Sequence, residues 1–358
     1  MIRDSSNPSA SCPECGAVLT VGWAAREREG EILEGALRCS SPACALEYPV
    51  LDGVPILTPN ARAYVGAHLL SLVERDDLTP ELEALLVECA GPGSSFEVAR
   101  QYLSHYAWDH YAEFDPQEDA ASRPASVVAR PGAVARVLQA SLELLGSGPF
   151  TGPWLDLGCS VGRVAFELAA RFPGPVVGLD LNAAMVRLAR RVRQTGSVGY
   201  PRRQLGLLYE RRHFRVPFTR RAEVDFWVGD ALQPPFGPEV FGGVVCLNLL
   251  DCVPSPLDLL RSIRRLLRPG GRFVIASPFD WSGGVGPPET WIGGHSPRSP
   301  HHGESAAVLR ALLTPGAHPA AIDGFEIEGE IDAFDWQVRV HDRCVTQYQV
   351  HIVVGSRV

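Results

Sequence analysis

The stretch that most constrains this chain is Asp156-Leu-Gly-Cys-Ser-Val-Gly162, set between two apolar runs. Trp154-Leu-Asp-Leu157 reads as a buried strand, Val164–Phe172 as a helix, and Pro175-Val-Val-Gly-Leu-Asp180 as the next strand. Strand, glycine turn, helix and strand make one βαβ unit, whose parallel strands need cover on both faces. Gly158 and Gly162 let the backbone turn sharply and come close to a ligand. The first amides of the helix point at the same place. Asp180 ends the second strand, where an acid can hold both hydroxyls of a ribose. The spacing is not the GxGxxG of nicotinamide-binding enzymes.

The alternation continues. Val134–Leu145 reads as an amphipathic helix before the first strand. Val224–Val228 leads to Gly229-Asp230-Ala231, and Phe241–Leu247 leads to Asn248-Leu-Leu-Asp251. A helix capped by Ser255 runs to Leu267, stops at Arg268-Pro-Gly-Gly271, and gives way to the strand Arg272–Ser277. Phe325–Val354 reads as two long strands. On these strand-end motifs the region resembles the class I, Rossmann-like methyltransferases that use S-adenosylmethionine. The resemblance implies an α/β fold with strand order 3-2-1-4-5-7-6. It also implies a cofactor site built from Asp156, Gly158, Cys159, Gly162, Asp180, Leu181, Met185, Asp230, Ala231 and Asn248. Asp230 would accept a hydrogen bond from the adenine amino group.

The segment after the fifth strand reads Ser277-Pro-Phe-Asp-Trp281, then Glu289-Thr-Trp291-Ile-Gly-Gly294-His295. It resembles the methyltransferase domain of ovothiol biosynthesis, which methylates an imidazole nitrogen of a thiohistidine. The likeness spans roughly residues 100–358. Gly178-Leu-Asp180, the long insert before Gly229, Asn248-Leu-Leu-Asp251 and Val338-Arg339-Val-His341-Asp-Arg343 also take part in it. Phe279 stands where that family has tyrosine, and Val340 where it has glutamate. The resemblance implies N-methylation of a histidine-derived or related heteroaromatic amino acid, a natural-product type of reaction. Such methyl transfer is an in-line displacement. A neutral imidazole needs only a group to orient the ring and take one proton. Asp251, His295 and His341 are the candidates for that role. Tyr106, Trp281 and Trp291 are candidate walls of the substrate pocket. Arg339 or Arg343 could pair with a substrate carboxylate.

Four of the nine cysteines form Cys12-Pro-Glu-Cys15 and Cys39-Ser-Ser-Pro-Ala-Cys44. Such pairs turn tightly, and Cys12, Cys15, Cys39 and Cys44 together can close a tetrahedral structural zinc site. A ribbon of this size buries too little apolar surface to be stable unaided, which zinc would remedy. The following Tyr48-Pro-Val-Leu-Asp-Gly-Val-Pro55 resembles the small zinc proteins that activate tRNA and rRNA methyltransferases. The resemblance implies a stabilising or substrate-presenting lobe.

Three regions are expected: a zinc-ribbon module over 1–60, a helical connector or lid over 61–133, and the methyltransferase domain over 134–358. The connector holds helices near Ala67–Glu74 and Pro80–Glu88, an aromatic helix around Tyr102–Tyr111, and a polar, proline-rich loop over 115–131. Apolar residues make up 46% of the 358, enough for a sizeable core, and the net charge of −8 argues against a general nucleic-acid binder. Met1–Ser11 has no apolar run of the signal-peptide kind, and no stretch of about 18 apolar residues suits a membrane span. The expected setting is the cytosol, and the expected partner is a small molecule rather than a membrane or a nucleic acid. The chain contains no lysine, which excludes Schiff-base chemistry and the P-loop lysine. Eleven arginines and one acid lie between Arg187 and Arg221. They read as a solvated helix face plus a loop, with an anion-binding surface as the alternative. Two further functions stand beside the first: an RNA methyltransferase using the zinc lobe and the arginine island, and a cofactor-binding scaffold that activates a partner. The sequence has no Asn-Pro-Pro-Tyr-type motif after the fourth strand, which argues against methylation of base amino groups.

Overall fold

The computed structural model describes residues 8–73, 78–118, 129–146, 148 and 150–358. The chain opens with a meander of four strands, β1 (Leu19–Arg28), β2 (Glu31–Cys39), β3 (Glu47–Leu51) and β4 (Val54–Leu57). Three helices follow: α1 (Ala61–Val73), α2 (Pro80–Ala90) and α3 (Ser95–Tyr111). Thr79 and Ser94 cap the second and third, their side chains accepting from the Leu82 and Glu97 amides.

The larger part runs α4 (Ala133–Leu145), β5 (Trp154–Leu157), α5 (Arg163–Arg171), β6 (Val176–Asp180) and α6 (Ala183–Thr195). Then come β7 (Ser197–Leu205), β8 (Leu208–Arg215), β9 (Val224–Gly229), β10 (Phe241–Leu247), α7 (Pro256–Leu266), β11 (Leu267–Ser277), α8 (Ser305–Leu313), β12 (Phe325–His341) and β13 (Cys344–Arg357). One eleven-stranded sheet has the order β1-β2-β3-β4-β9-β6-β5-β10-β11-β13-β12. Its last seven strands reproduce the expected 3-2-1-4-5-7-6 order, with β13 antiparallel to β11. β5, β6, β9 and β10 are apolar runs because they are covered on both faces. One apolar layer draws on α3, α4, α5 and α6, and the other on α7, α8 and the N-terminal strands.

Several expectations need correction. The arginine island is not a helix face plus a loop: it holds the antiparallel pair β7–β8, whose register runs Ser197↔Arg215 to Leu205↔Leu208. The N-terminal meander is not a detached ribbon, since β4 pairs in parallel with β9 through Ile56↔Val228 and Leu57↔Gly229. The first helix starts at Ala61 rather than Ala67, and Glu74 lies outside the described residues. Of the expected loop over 115–131, residues 119–128 also lie outside them. Arg268-Pro-Gly-Gly271 belongs to β11, where the pairing register with β10 shifts. Among the described residues no helix is long and apolar enough to cross a membrane.

Candidate functional site

The carboxyl ends of β5, β6, β9 and β10 meet at one edge of the sheet, where open α/β sheets bind ligands. After β5 the backbone turns through positive φ at Gly158 (+81°), Ser160 (+50°) and Gly162 (+92°). A Cβ on Gly162 would stand 2.6 Å from the Phe226 ring, so no larger residue fits. Asp156 does not face this turn. Its Oδ2 accepts the Ala165 amide at 3.0 Å and ties the turn to α5. Burial, with the charge of Asp180 adding to it, pushes the Asp156 carboxyl up to about 8. Cys159 is buried, and the Ser160 hydroxyl donates to Met185 Sδ at 3.3 Å.

Asp180 accepts the Ser160 amide through Oδ2 and the Asn182 amide through Oδ1, both at 2.8 Å. Burial raises its carboxyl above the ordinary range. Leu181 is half exposed beside it. Asp230 Oδ1 accepts the Leu232 amide at 2.8 Å, which fixes the turn after β9, and Ala231 sits within that turn. At the end of β10, Asn248 takes a positive φ of +51°, and its Oδ1 is buried with no hydrogen-bond partner. An orphaned acceptor, a strand-end carboxylate and a turn without room for Cβ atoms fit a nucleoside bearing an amino-acid tail, as in S-adenosylmethionine.

A second group of side chains adjoins Asp180. Asp251 is buried and accepts from Ser277 Oγ at 3.1 Å and from the Asp280 amide at 2.7 Å. Both of its oxygens are thereby engaged, so it braces the β11 exit rather than offering a free base. The charges of Asp251, Asp280 and Asp180 act on Cys252, whose thiol is pushed up to about 12, first by burial. Tyr348 feels Asp280, Asp251 and Cys252. Tyr106 feels Cys252, Asp180, Tyr102 and Tyr348, and burial raises its phenol strongly. The Tyr102 and Tyr106 rings lie 6.4 Å apart on α3. Together Tyr106, Tyr348, Cys252, Asp251 and Asp280 wall an aromatic and acidic recess next to Asp180.

The other expected substrate residues fall elsewhere. Arg339 is buried, donates to the Arg203 carbonyl at 2.6 Å and pairs with Asp342, so it is not aimed at a substrate carboxylate. His341 lies at the tip of the β12–β13 hairpin, where its Nδ1 accepts the amide of the exposed Arg343 at 3.2 Å. Burial and the charges of Arg203 and Arg339 lower its pKa. His295 is exposed, with Nδ1 3.2 Å from the Gly293 carbonyl. Among the described residues none of these three contacts the recess. Trp281 and Trp291 stack on each other at 6.0 Å and 13°, and their indoles donate to Ser305 Oγ and the Gly286 carbonyl. They hold the loop that carries Asp280 against α8. Sequence reasoning missed Cys252, Asp280, Tyr348 and Tyr64. The first two sit inside quoted motifs, beside Asp251 and Trp281, and that adjacency was the available signal.

The arginine island largely meets carboxylates. Arg190 pairs with Asp225 and Glu31, Arg193 with Glu31, Arg202 with Glu210 and Asp342, and Arg212 with Glu210. These pairs tie α6 and the β7–β8 hairpin to the N-terminal strands and to β12.

The four cysteines converge, as the spacing implied. Their sulfurs all lie within 4.8 Å of one another, with Cys12–Cys44 at 3.8 Å and Cys15–Cys39 at 3.5 Å. Zinc–sulfur bonds of ~2.3 Å in a tetrahedron place sulfurs ~3.8 Å apart, so the cluster has the dimensions of a four-thiolate zinc site. The Tyr48 hydroxyl stands 3.1 Å from Cys12 Sγ, a partner for a thiolate ligand.

Residues 155–275 match the family model described as a methyltransferase domain. The chain has the Rossmann-like α/β fold of class I methyltransferases. It is 35% identical over 124 residues to a 2-phytyl-1,4-naphtoquinone methyltransferase of Thermosynechococcus vestitus, covering 34% of this chain and 44% of that protein. A ubiquinone biosynthesis O-methyltransferase of Pseudomonas fluorescens is 26% identical over 182 residues, or 51% of this chain and 62% of that protein. The chain thus spans well under two thirds of the length of these curated relatives. A solved S-adenosylmethionine-dependent methyltransferase of Methanosarcina mazei covers 60% of this chain and 97% of its own at 18% identity, with a TM-score of 0.39.

Proposed function

We propose that this protein transfers a methyl group from S-adenosylmethionine to a ring nitrogen of a small heteroaromatic molecule, histidine-derived or of similar kind. The observation that carries the reading is the recess beside Asp180. Tyr106 and Tyr348 offer aromatic surface for a planar ring, and Asp280 offers a carboxylate to its N–H. Among the described residues the charges acting on Tyr106, Cys252 and Tyr348 come from acids, a thiol and phenols. Such a recess favours a neutral or cationic ring over an anionic one. S-adenosylmethionine supplies an activated methyl on a sulfonium. The chain's part is to hold the acceptor in line, and alignment of this sort is worth up to about 7–11 kcal/mol. A neutral imidazole is already nucleophilic at pH 7, and Asp280 receives the proton released.

The four-cysteine cluster in this reading holds a structural zinc ion. Closed four-thiolate coordination leaves no position for substrate, so the lobe supports the sheet through β4 rather than taking part in the reaction.

A second reading, O-methylation of a quinol or phenol, is favoured by the names of the two relatives above. Asp280 would then remove a phenolic proton. Turnover decides between them: purified protein and S-adenosylmethionine are incubated with imidazole amino acids, 5-thiohistidine and quinols, and S-adenosylhomocysteine is followed. Product with an imidazole supports the first reading. Product with quinols alone replaces it by the second.

A further inference from the structure

Helix α1 joins the cysteine lobe to the cofactor site within little more than one turn. At its start the Asn60 amide donates to Glu14 Oε1 at 2.6 Å. Glu14 lies inside the first knuckle, between Cys12 and Cys15. Asn60 has a positive φ of +46° and caps the helix, accepting the Ala63 amide on Oδ1 at 3.3 Å and the Tyr64 amide on its carbonyl at 3.2 Å. Tyr64 then donates its hydroxyl to the carbonyl of Leu181 at 2.6 Å, directly after Asp180. The His68 ring lies 4.5 Å from the Tyr64 ring. Burial and the charge of Asp180 push the Tyr64 phenol up to about 12, so the hydroxyl remains a donor through the neutral range.

The rest of α1 is lightly held. Leu72 is its buried residue, Leu70 is 79% exposed, and Arg187 of α6 donates to the Ser71 carbonyl at 3.2 Å. The first turn therefore takes its place from Glu14 on one side and Leu181 on the other. A carboxylate at a helix N-terminus is favourable through the orphan amides and the dipole there.

We propose that α1 is a latch: Glu14 and Tyr64 are positioning residues through which the four-cysteine lobe sets the Asp180–Leu181 floor and thereby the affinity for S-adenosylmethionine. The proposal rests on the cofactor reading above. Releasing either hydrogen bond leaves the first turn of α1 to be ordered when cofactor binds, which weakens binding.

The test is a calorimetric titration of the full zinc-loaded chain with S-adenosylhomocysteine, alongside zinc content and Tm for each variant. Glu14→Ala and Tyr64→Phe are each expected to weaken binding about tenfold, the cost of one good hydrogen bond, at unchanged zinc content. Glu14→Gln keeps the Oε1 acceptor and restores most of the affinity. The double variant Glu14→Ala/Tyr64→Phe is expected to bind no more weakly than either single one, because both break the same latch. Wild-type affinity in Glu14→Ala, with or without a lower Tm, would overturn the latch. So would losses that multiply in the double variant. Failure of the wild type itself to bind would overturn the cofactor reading and the latch together.

Discussion

At Gly162 the backbone has φ +92° with the Phe226 ring where a Cβ would go. Gly162→Ala should therefore destabilise the fold by about 1–3 kcal/mol in urea denaturation. An unchanged midpoint would show that the turn relaxes. On the acceptor side, Asp280 is the exposed carboxylate whose amide is fixed by the buried Asp251. Asp280→Asn is expected to lower kcat about a hundredfold while leaving S-adenosylhomocysteine affinity unchanged. Unchanged kcat would remove Asp280 from proton transfer. At this scale the sequence was readable where a motif and its role are local. Gly158, Gly162, Asp180 and Asn248 stand at the expected strand ends because the turn chemistry is written in neighbouring residues. Tyr106, Cys252, Asp280 and Tyr348 converge from four separate elements, and no spacing along the chain encodes that. Arg339 was misread for the same reason, since its acceptors, the Arg203 carbonyl and Asp342, come from β7 and from the hairpin tip.

Among the elements, α3 and α4 are joined by an unusual cap. Gly132 precedes α4 without a side chain to cap it, and Asp109 of α3 reaches across to accept the Ala133 amide at 2.8 Å. Asp109 is buried, and burial pushes its carboxyl up to about 7. An unfolded aspartate titrates near 3.9. The folded state thus holds a proton that the unfolded state loses first. This contribution is fully present below about pH 4 and is lost as pH rises through about 7. Stability should fall by up to ~1.4 kcal/mol per pH unit over that window from this group alone. Asp109→Asn should flatten that slope in pH-dependent denaturation, and an unaltered slope would assign it to other groups. The parallel strands were legible because both-face burial makes them apolar runs. The β7–β8 hairpin was not, because its arginines pair with carboxylates far along the chain, and their spacing masks the alternating burial of Val198, Tyr200 and Arg202.

For the whole molecule, the N-terminal meander extends the sheet instead of hanging from it. The parallel step from β4 to β9 could not be read from sequence, since two short apolar runs carry no register. Because the lobe is continuous with the sheet and Arg190 ties it to Asp225 in β9, loss of its metal should reach the domain. Chelation, or Cys15→Ser, is expected to lower Tm by about 10 °C, as a loss of several kcal/mol would. A zinc-free protein with wild-type Tm would make the cluster incidental to stability. The central claim is that the strand ends around Asp180 bind S-adenosylmethionine. Its most direct test is calorimetric titration of wild type and Asp180→Ala with S-adenosylhomocysteine. The account predicts one-to-one binding by the wild type and a loss of about tenfold or more in Asp180→Ala. Undiminished binding by Asp180→Ala, or no binding by the wild type, would contradict it.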